Sequence, residues 1–152
     1  MPYYHRLKLL LGGALILLTT HSFTIESTGK LTVVVNNIDK PSGEVRVAIY
    51  NSENTFLDAK KFVAVKSMAV GSHTSVTLEF PHLPYGNYAV TTYHDINSNR
   101  KLDQNTFGIP EEPYDMTNLK VKWRKPTFDE VKFPLQVPQK TVQLHLKRWV
   151  DR

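Results

Sequence analysis

The chain has 152 residues, no cysteine, 41% hydrophobic residues and a formal net charge of +5. Without cysteine it can form no disulfide bond, no thiolate metal site and no thiol nucleophile. Two of its 19 basic residues, Arg6 and Lys8, lie in the first 22 residues, so the remainder carries 17 basic and 14 acidic residues, a charge of +3. This modest charge gives little support to a nucleic-acid-binding function.

The pattern of residues 1–22 is typical of a secretory signal peptide. Basic residues at the start precede an apolar run over 9–18, and small residues stand at the two positions that signal peptidase reads, which predicts cleavage before Phe23. A membrane-spanning helix needs about 20 apolar residues, and this run is half as long. We therefore expect an exported protein, periplasmic or extracellular, with one domain at residues 23–152 and no transmembrane segment after cleavage.

Strand-type sequence runs through most of this domain. Between Glu44 and Tyr50, for example, Val45, Val47 and Ile49 alternate with more polar residues, which indicates a strand with one buried face. Such segments occur at 31–36, 44–50, 62–65, 73–80, 87–93, 131–137 and 141–146. The residues predicted to face the core are Val45, Val47, Ile49, Val76, Leu78, Phe80, Tyr88, Val90, Val142 and Leu144. Short strands separated by turn residues predict an all-β fold, a single antiparallel β-sandwich of about seven strands.

One turn-and-strand segment lies between Phe80 and Val90. Its Leu-Pro-x-Gly turn over 81–86 and the Tyr-x-Val strand that follows resemble a feature of immunoglobulin-like and transthyretin-like sandwiches. Gly86 permits a tight turn, and Tyr88 can bury its ring while its hydroxyl binds the backbone at the corner.

A long irregular excursion separates the last predicted strands from the rest, between Asp95 and Glu130. Connections in compact domains have a median length of about 4–6 residues, so a longer one is usually functional or disordered. The aromatic residues of this excursion indicate that it packs onto the domain. Phe56 and Leu57, which lie in an earlier polar stretch, are also predicted to pack onto the core. Leu119, Val121 and Trp123 alternate with basic residues at 120, 122 and 124, which fits an edge strand. The spacing of Thr127 and Glu130 predicts one helical turn.

Oxygen-bearing side chains alternate at the start of this excursion. Compared with an EF-hand loop, Asp95, Asn97 and Asn99 take the first, third and fifth positions, Lys101 would offer its carbonyl, and Asp103 takes the ninth. The sequence therefore predicts a Ca²⁺ site.

Two positions depart from the EF-hand pattern. Arg100 replaces the glycine at the sixth position and would need a positive φ, and Thr106 at the twelfth cannot chelate. Glu111 or Glu112 would have to replace it, and the predicted ligands are Asp95, Asn97, Asn99, Lys101, Asp103 and Glu112. The alternative is a loop of Asx turns, in which the same side chains accept hydrogen bonds from nearby amides.

The segment His94–Asp103 has the pattern His-Asp-x-Asn-x-Asn-x-x-Leu-Asp, and Gly-x-Pro-x-Glu follows from Gly108 to Glu112. This combination resembles a family of exported bacterial proteins that carry a domain of unknown function. The resemblance implies an exported, β-rich protein and assigns no biochemical role.

Two functions from different classes remain open. The first is a non-enzymatic module of the bacterial cell envelope that binds a protein or glycan, with the loop stabilised by Ca²⁺. It would show Phe107, Tyr114 and Trp123 on one exposed surface. The second is a hydrolase using His94 and loop carboxylates such as Glu111, which would place His94 within hydrogen-bond reach of a carboxylate in a concave pocket. The absence of a recognisable catalytic set in the sequence favours the first.

Overall fold

The computed structural model describes residues 27–120 and 124–151, which form two β-sheets. The strands are β1 (Thr28–Asn36), β2 (Glu44–Tyr50), β3 (Ala64–Ala69), β4 (Ser75–Pro84), β5 (Gly86–Asp95), β6 (Tyr114–Met116), β7 (Phe133–Leu135) and β8 (Gln139–His145). One sheet has the order β4-β1-β8, and the second has the order β3-β2-β5-β6 with β7 paired to β5. The predicted signal peptide and Trp123 lie outside the described residues.

The predicted β-sandwich is confirmed, with one correction to its strand pairing. All strand pairs are antiparallel except β1 with β8, which run parallel along Lys30–Asn36 and Gln139–His145. Parallel neighbours need a long crossover between them. Here nearly the whole domain, including the entire second sheet, forms that connection.

The hydrophobic core lies between the two sheets. Of the ten core residues predicted, all but Val142 are buried, and Val142 is partly buried and packs against the others. The central strand β1 adds Leu31, Val33 and Val35, each fully buried. Alternate side chains of a strand point to opposite faces, so these strands leave their remaining residues on the outer faces.

The corner between β4 and β5 carries the chain from one sheet to the other. The Tyr88 ring is buried and its hydroxyl donates a hydrogen bond of 2.7 Å to the Pro84 carbonyl, as the sequence predicted. The predicted turn over 81–86 was too long, because β4 continues to Pro84 and β5 begins at Gly86.

Several predicted boundaries were wrong in the irregular parts of the chain. β3 begins at Ala64, two residues later than expected, and β6 was not predicted. The predicted strand over 131–137 began too early, because Val131 is the last residue of a helix, α1 (Phe128–Val131), and β7 follows at Phe133. Thr127 caps α1, and its amide donates to the Glu130 carboxylate at 2.8 Å, as in a capping box. Leu119 and Lys120 are not in a strand.

A second apolar cluster covers the outer face of the second sheet. Its buried members are Tyr50, Ala89, Tyr114, Met116, Phe128 and Val131. The Phe56 ring packs edge-on against Tyr50 and Phe128, with centroids 5.6 and 6.0 Å apart, so its predicted packing is confirmed. Leu57, with a φ of 61°, is an exposed hydrophobic residue, and that part of the prediction was wrong. The irregular segments therefore form a third layer over this sheet.

Candidate functional site

The loop that begins at the end of β5 is anchored by a buried carboxylate. Asp95 is fully buried, and its two oxygens accept the backbone amides of Asn99 at 3.0 Å and Arg100 at 2.6 Å. Arg100 has a φ of 63°, the left-handed conformation that the comparison with an EF-hand loop required at this position. The tight turn therefore forms without glycine.

Further along, the asparagine side chains bind their own loop. Asn97 Oδ1 accepts the amide of Asn99 at 3.1 Å, and Asn99 Oδ1 accepts the amide of Lys101 at 2.8 Å. The side-chain amides of Asn97 and Asn99 donate to the two oxygens of Asp103 at 2.7 and 2.8 Å. The two contacts to backbone amides are the Asx turns of the alternative interpretation, and the two contacts to Asp103 join side chains.

Glu112 joins the two ends of this loop. Its carboxylate is buried and accepts the amides of Ile96 at 2.9 Å and Asp103 at 3.1 Å. The amide of Glu111 also donates to the Asp103 carbonyl at 2.9 Å. We call residues 95–112, held in this way by Asp95 and Glu112, the carboxylate loop.

The fit of this loop to Ca²⁺ is partial. All six carboxylate oxygens of Asp95, Asp103 and Glu112 accept N–H groups, and no three acidic or histidine side chains in the described residues are grouped to hold a metal. Each oxygen keeps a second lone pair. Oε1 of Glu44, the register partner of Asp95, is buried and accepts no hydrogen bond from the described residues. The Ca²⁺ site stays a prediction.

His94 faces the interior of the sandwich. Its ring is fully buried, and Nε2 lies 2.7 Å from the Ser42 carbonyl, which can only accept, so Nε2 donates. Nδ1 is 3.8 Å from Asp39 Oδ1, beyond hydrogen-bond reach, and has no partner among the described residues. His94 lines neither of the described cavities. The geometry expected for a hydrolase is therefore not present at His94.

A cavity of about 690 Å³ opens on the outer face of the second sheet, and we call it the sheet groove. Strand register places Arg46 beside Tyr93 and Tyr93 beside Tyr114 in one row of its floor. The next row is Ala48, Thr91 and Met116. Ala48 and Thr91 are small beside the tyrosines and Arg46, so the middle of the floor is low.

The walls of the sheet groove come from distant segments. They include Leu57, Ala59 and Phe62 on one side, Arg100, Lys101, Leu102, Gln104, Phe107, Ile109 and Pro110 from the carboxylate loop, and Arg124, Lys125, Pro126 and Trp149. Phe107 is strongly exposed, whereas Tyr114 is buried, so these two residues line the same cavity but do not share one exposed surface as predicted. Trp123 lies outside the described residues. Sequence reasoning missed Tyr93 and Trp149. Tyr93 could have been found because it alternates with the inward-facing His94.

The charges that line the sheet groove are mostly positive. They are Arg46, Arg100, Lys101, Arg124 and Lys125, against the single acid Asp115. Asp115 accepts the amide of His145 at 2.8 Å, which ties the second sheet to β8.

Only one of these five cations is neutralised by a described residue. Arg124 binds both oxygens of Glu130 at 2.6 and 2.9 Å, and this contact, with the amide of Thr127, lowers the pKa of Glu130 to about 2. The other four form no ion pair within the described residues. Burial raises the pKa of Tyr93 to about 12, so the floor phenol is neutral at ordinary pH.

The fold and the groove define a β-sandwich module with one sheet covered by irregular segments. The chain belongs to the DUF2141 family, which is described as an uncharacterized protein conserved in bacteria. The family model matches residues 33–143. The expected membership of an uncharacterised bacterial family is thereby confirmed, and the matched range includes the groove floor and the carboxylate loop. No curated protein and no solved structure matches the chain significantly. In the described ranges, no helix is long and apolar enough to cross a membrane.

Proposed function

We propose that this protein is an exported, non-enzymatic binding module of the bacterial cell envelope and that the sheet groove is its binding site. The observation that carries the proposal is a cavity of about 690 Å³ with an aromatic floor and four cations that form no ion pair among the described residues. Ligand sites are typically concave, about 300–1,000 Å³, and mostly apolar with a few polar groups that orient the ligand.

The carboxylate loop supports this function by holding one wall of the groove in place. Asp95 binds the amide of Arg100, Asn99 binds the amide of Lys101, and Glu112 binds the amide of Asp103. The wall residues Arg100 and Lys101 are thus fixed through their own amides, and Leu102 and Gln104 flank the fixed Asp103. A wall fixed before binding loses less conformational entropy when a ligand enters.

A binding assay with a blocked groove tests the proposal. Tryptophan in place of Ala48 should fill the middle of the floor, whereas Thr77→Trp adds the same ring to an exposed position of β4 on the other sheet. The exported protein should sediment with isolated bacterial envelopes, and Ala48→Trp should weaken its affinity for them by roughly tenfold, a loss of about 1.4 kcal/mol. Equal sedimentation of the two variants, with both melting as cooperatively as the parent, would contradict the proposal.

Export predicts a new amino terminus. We expect mass spectrometry of the protein recovered from outside the cytoplasm to find a chain that begins at Phe23, since the apolar run over 9–18 is followed by small residues. Recovery of the full-length chain from the cytoplasmic membrane alone would show that the run acts as an anchor.

Ca²⁺ binding to the carboxylate loop predicts a metal-dependent melting temperature. With only two of its four alternating oxygen-bearing side chains charged, Asp95 and Asp103, the loop should bind Ca²⁺ with a Kd of about 10⁻⁴–10⁻³ M. Millimolar Ca²⁺ should therefore raise the melting temperature of the protein relative to EDTA. Mg²⁺ should raise it less, because Mg²⁺ requires tighter octahedral geometry.

The matched control is Asn97→Ala with Asp103→Ala, which removes two predicted Ca²⁺ ligands and leaves the Asp95 anchor intact. It should abolish the Ca²⁺ response. Equal melting of the parent protein in both buffers, with no calorimetric signal, would leave the Asx turns as the complete description of the loop.

A further inference from the structure

We propose that the ligand of the sheet groove is a single-chain fatty acid, bound through its carboxylate at one end and its alkyl chain along the floor. This inference rests on the proposed binding function and specifies the chemistry of its ligand. It follows from the cluster of cations beside the carboxylate loop and from the apolar floor that leads away from it.

The cationic end of the groove lies where β5 enters the carboxylate loop. Arg46 stands two residues from Glu44, whose register partner is Asp95, and the Asp95 carboxylate accepts the amide of Arg100. Register therefore places Arg46 at the same end of the sheet as Arg100 and Lys101. Within residues 27–120 and 124–151, the Arg46 guanidinium makes one polar contact, a long one of 3.3 Å to the Ser67 hydroxyl, and no ion pair, so it can bind a carboxylate.

The acidic groups at this end do not compete for that position. Asp95 and Glu112 do not line the groove, and their oxygens accept backbone amides of the carboxylate loop. Glu44 does not line it either. Their charges still reach the floor, because Asp95, Glu112 and Glu44 add to the effect of burial in raising the pKa of Tyr93, and Asp115 lines the groove. The groups that line this end and could bind a ligand carboxylate directly are Arg46, Arg100 and Lys101.

The floor at the opposite end of the groove is apolar. Arg124 and Lys125 also line the groove and precede α1 near this end, and Arg124 is already bound to Glu130. Along β2 the floor runs from Arg46 through Ala48 to Tyr50, four residues or about 13 Å. Leu57 and Phe62 line the wall there, and Phe56 packs against Tyr50. This length of apolar floor with a cation at one end fits an extended alkyl chain that carries one anionic group.

A glycan fits the same lining less well. The uncharged polar side chains of the lining, tyrosines aside, are Thr91, Thr92 and Gln104, and the Thr92 hydroxyl already donates to the Arg46 carbonyl at 3.0 Å. Sugar hydroxyl groups over Ala48, Thr91 and Met116 in the middle of the floor would lose water and gain few partners there, which is unfavourable. An alkyl chain has no such groups to satisfy.

The test is a titration of the exported protein with dodecanoate below its micelle-forming concentration. It is followed by calorimetry and by tryptophan fluorescence, to which Trp149 in the groove wall and Trp123 both contribute. Butyrate, dodecyltrimethylammonium and glucuronate serve as probes that lack the chain, the anion and the apolar body respectively. Dodecanoate should bind with a stoichiometry of one, and each other probe at least tenfold more weakly.

Two variants assign the two ends of the ligand. Arg46→Met keeps the length of the side chain and removes its charge, and it should weaken dodecanoate binding by roughly tenfold. Lys30→Met removes a cation from β1 in the other sheet and should leave binding unchanged. Ala48→Trp should abolish binding, while Thr77→Trp should not.

The outcomes separate the two proposals. Equal affinity for dodecanoate and dodecyltrimethylammonium, or no effect of Arg46→Met, would overturn the fatty-acid assignment. Glucuronate binding that Ala48→Trp abolishes, without dodecanoate binding, would also overturn it and would leave the groove as a binding site. Envelope binding that Ala48→Trp does not reduce would instead overturn the proposed function itself.

Discussion

Val33→Asp should lower the free energy of unfolding by about 3–5 kcal/mol, because it buries a charge without a partner. Val33 is fully buried at the centre of β1, the middle strand of its sheet. Its neighbours on the adjacent strands are Leu78 and Val142, which offer no hydrogen bond from their side chains. The aspartate would have to stay charged in an apolar core, become protonated, or unfold the strand.

The matched control is Val34→Asp, one residue further along the same strand. Val34 points to the outer face and is only half-buried, so its substitution should cost about 1 kcal/mol or less. Chemical denaturation of both variants, followed by circular dichroism, gives the comparison. Equal unfolding free energies for the two variants would show that β1 does not present Val33 to the core.

Glu112→Ala should lower the free energy of unfolding by about 2–4 kcal/mol, the second-largest effect we expect. The substitution removes the common acceptor of the Ile96 and Asp103 amides, and hydrogen bonds to charged groups contribute about 1.5–3 kcal/mol each. Hydrogen exchange measured by NMR should show faster exchange at these two amides. Amides of β2 that exchange only through global unfolding should also exchange faster, by the factor that the lost unfolding free energy sets. The Ile96 and Asp103 amides should in addition lose protection through local opening of the loop.

Two variants separate the carboxylate from its position in the chain. Glu112→Gln keeps one acceptor oxygen and should lose about half as much stability as Glu112→Ala. The side chain of the neighbouring Glu111 is exposed, so Glu111→Ala should have little effect. Unchanged protection of the Ile96 and Asp103 amides in Glu112→Ala would show that other contacts hold the carboxylate loop.

The two-residue alternation of apolar side chains was sufficient to predict the sandwich and most of its core. Val45, Val47 and Ile49 alternate clearly, and they are buried. The sequence was insufficient for β6, because three residues are too few to show a period. It was also insufficient for the parallel pairing of β1 and β8, which depends on contacts between the two ends of the chain.

The candidate site was only partly predictable, for a related reason. The carboxylate loop is local, so the spacing of Asp95, Asn97 and Asn99 and the positive φ of Arg100 could be deduced from neighbouring residues. The sheet groove is not local. Its floor exists because strand register brings Arg46, Tyr93 and Tyr114 into one row, and single-sequence patterns do not determine register.

The parallel pairing of β1 and β8 makes the order of synthesis important. β1 is the first strand, and β8 is the last, so one edge of β1 has no partner until the end of the chain is available. Contacts between such distant segments slow folding, since a long loop must close before they form. A chain that emerges amino terminus first therefore cannot complete the β4-β1-β8 sheet until β8 is available. Such a delay would suit the proposed export, in which the chain would cross a membrane in extended form before it folds.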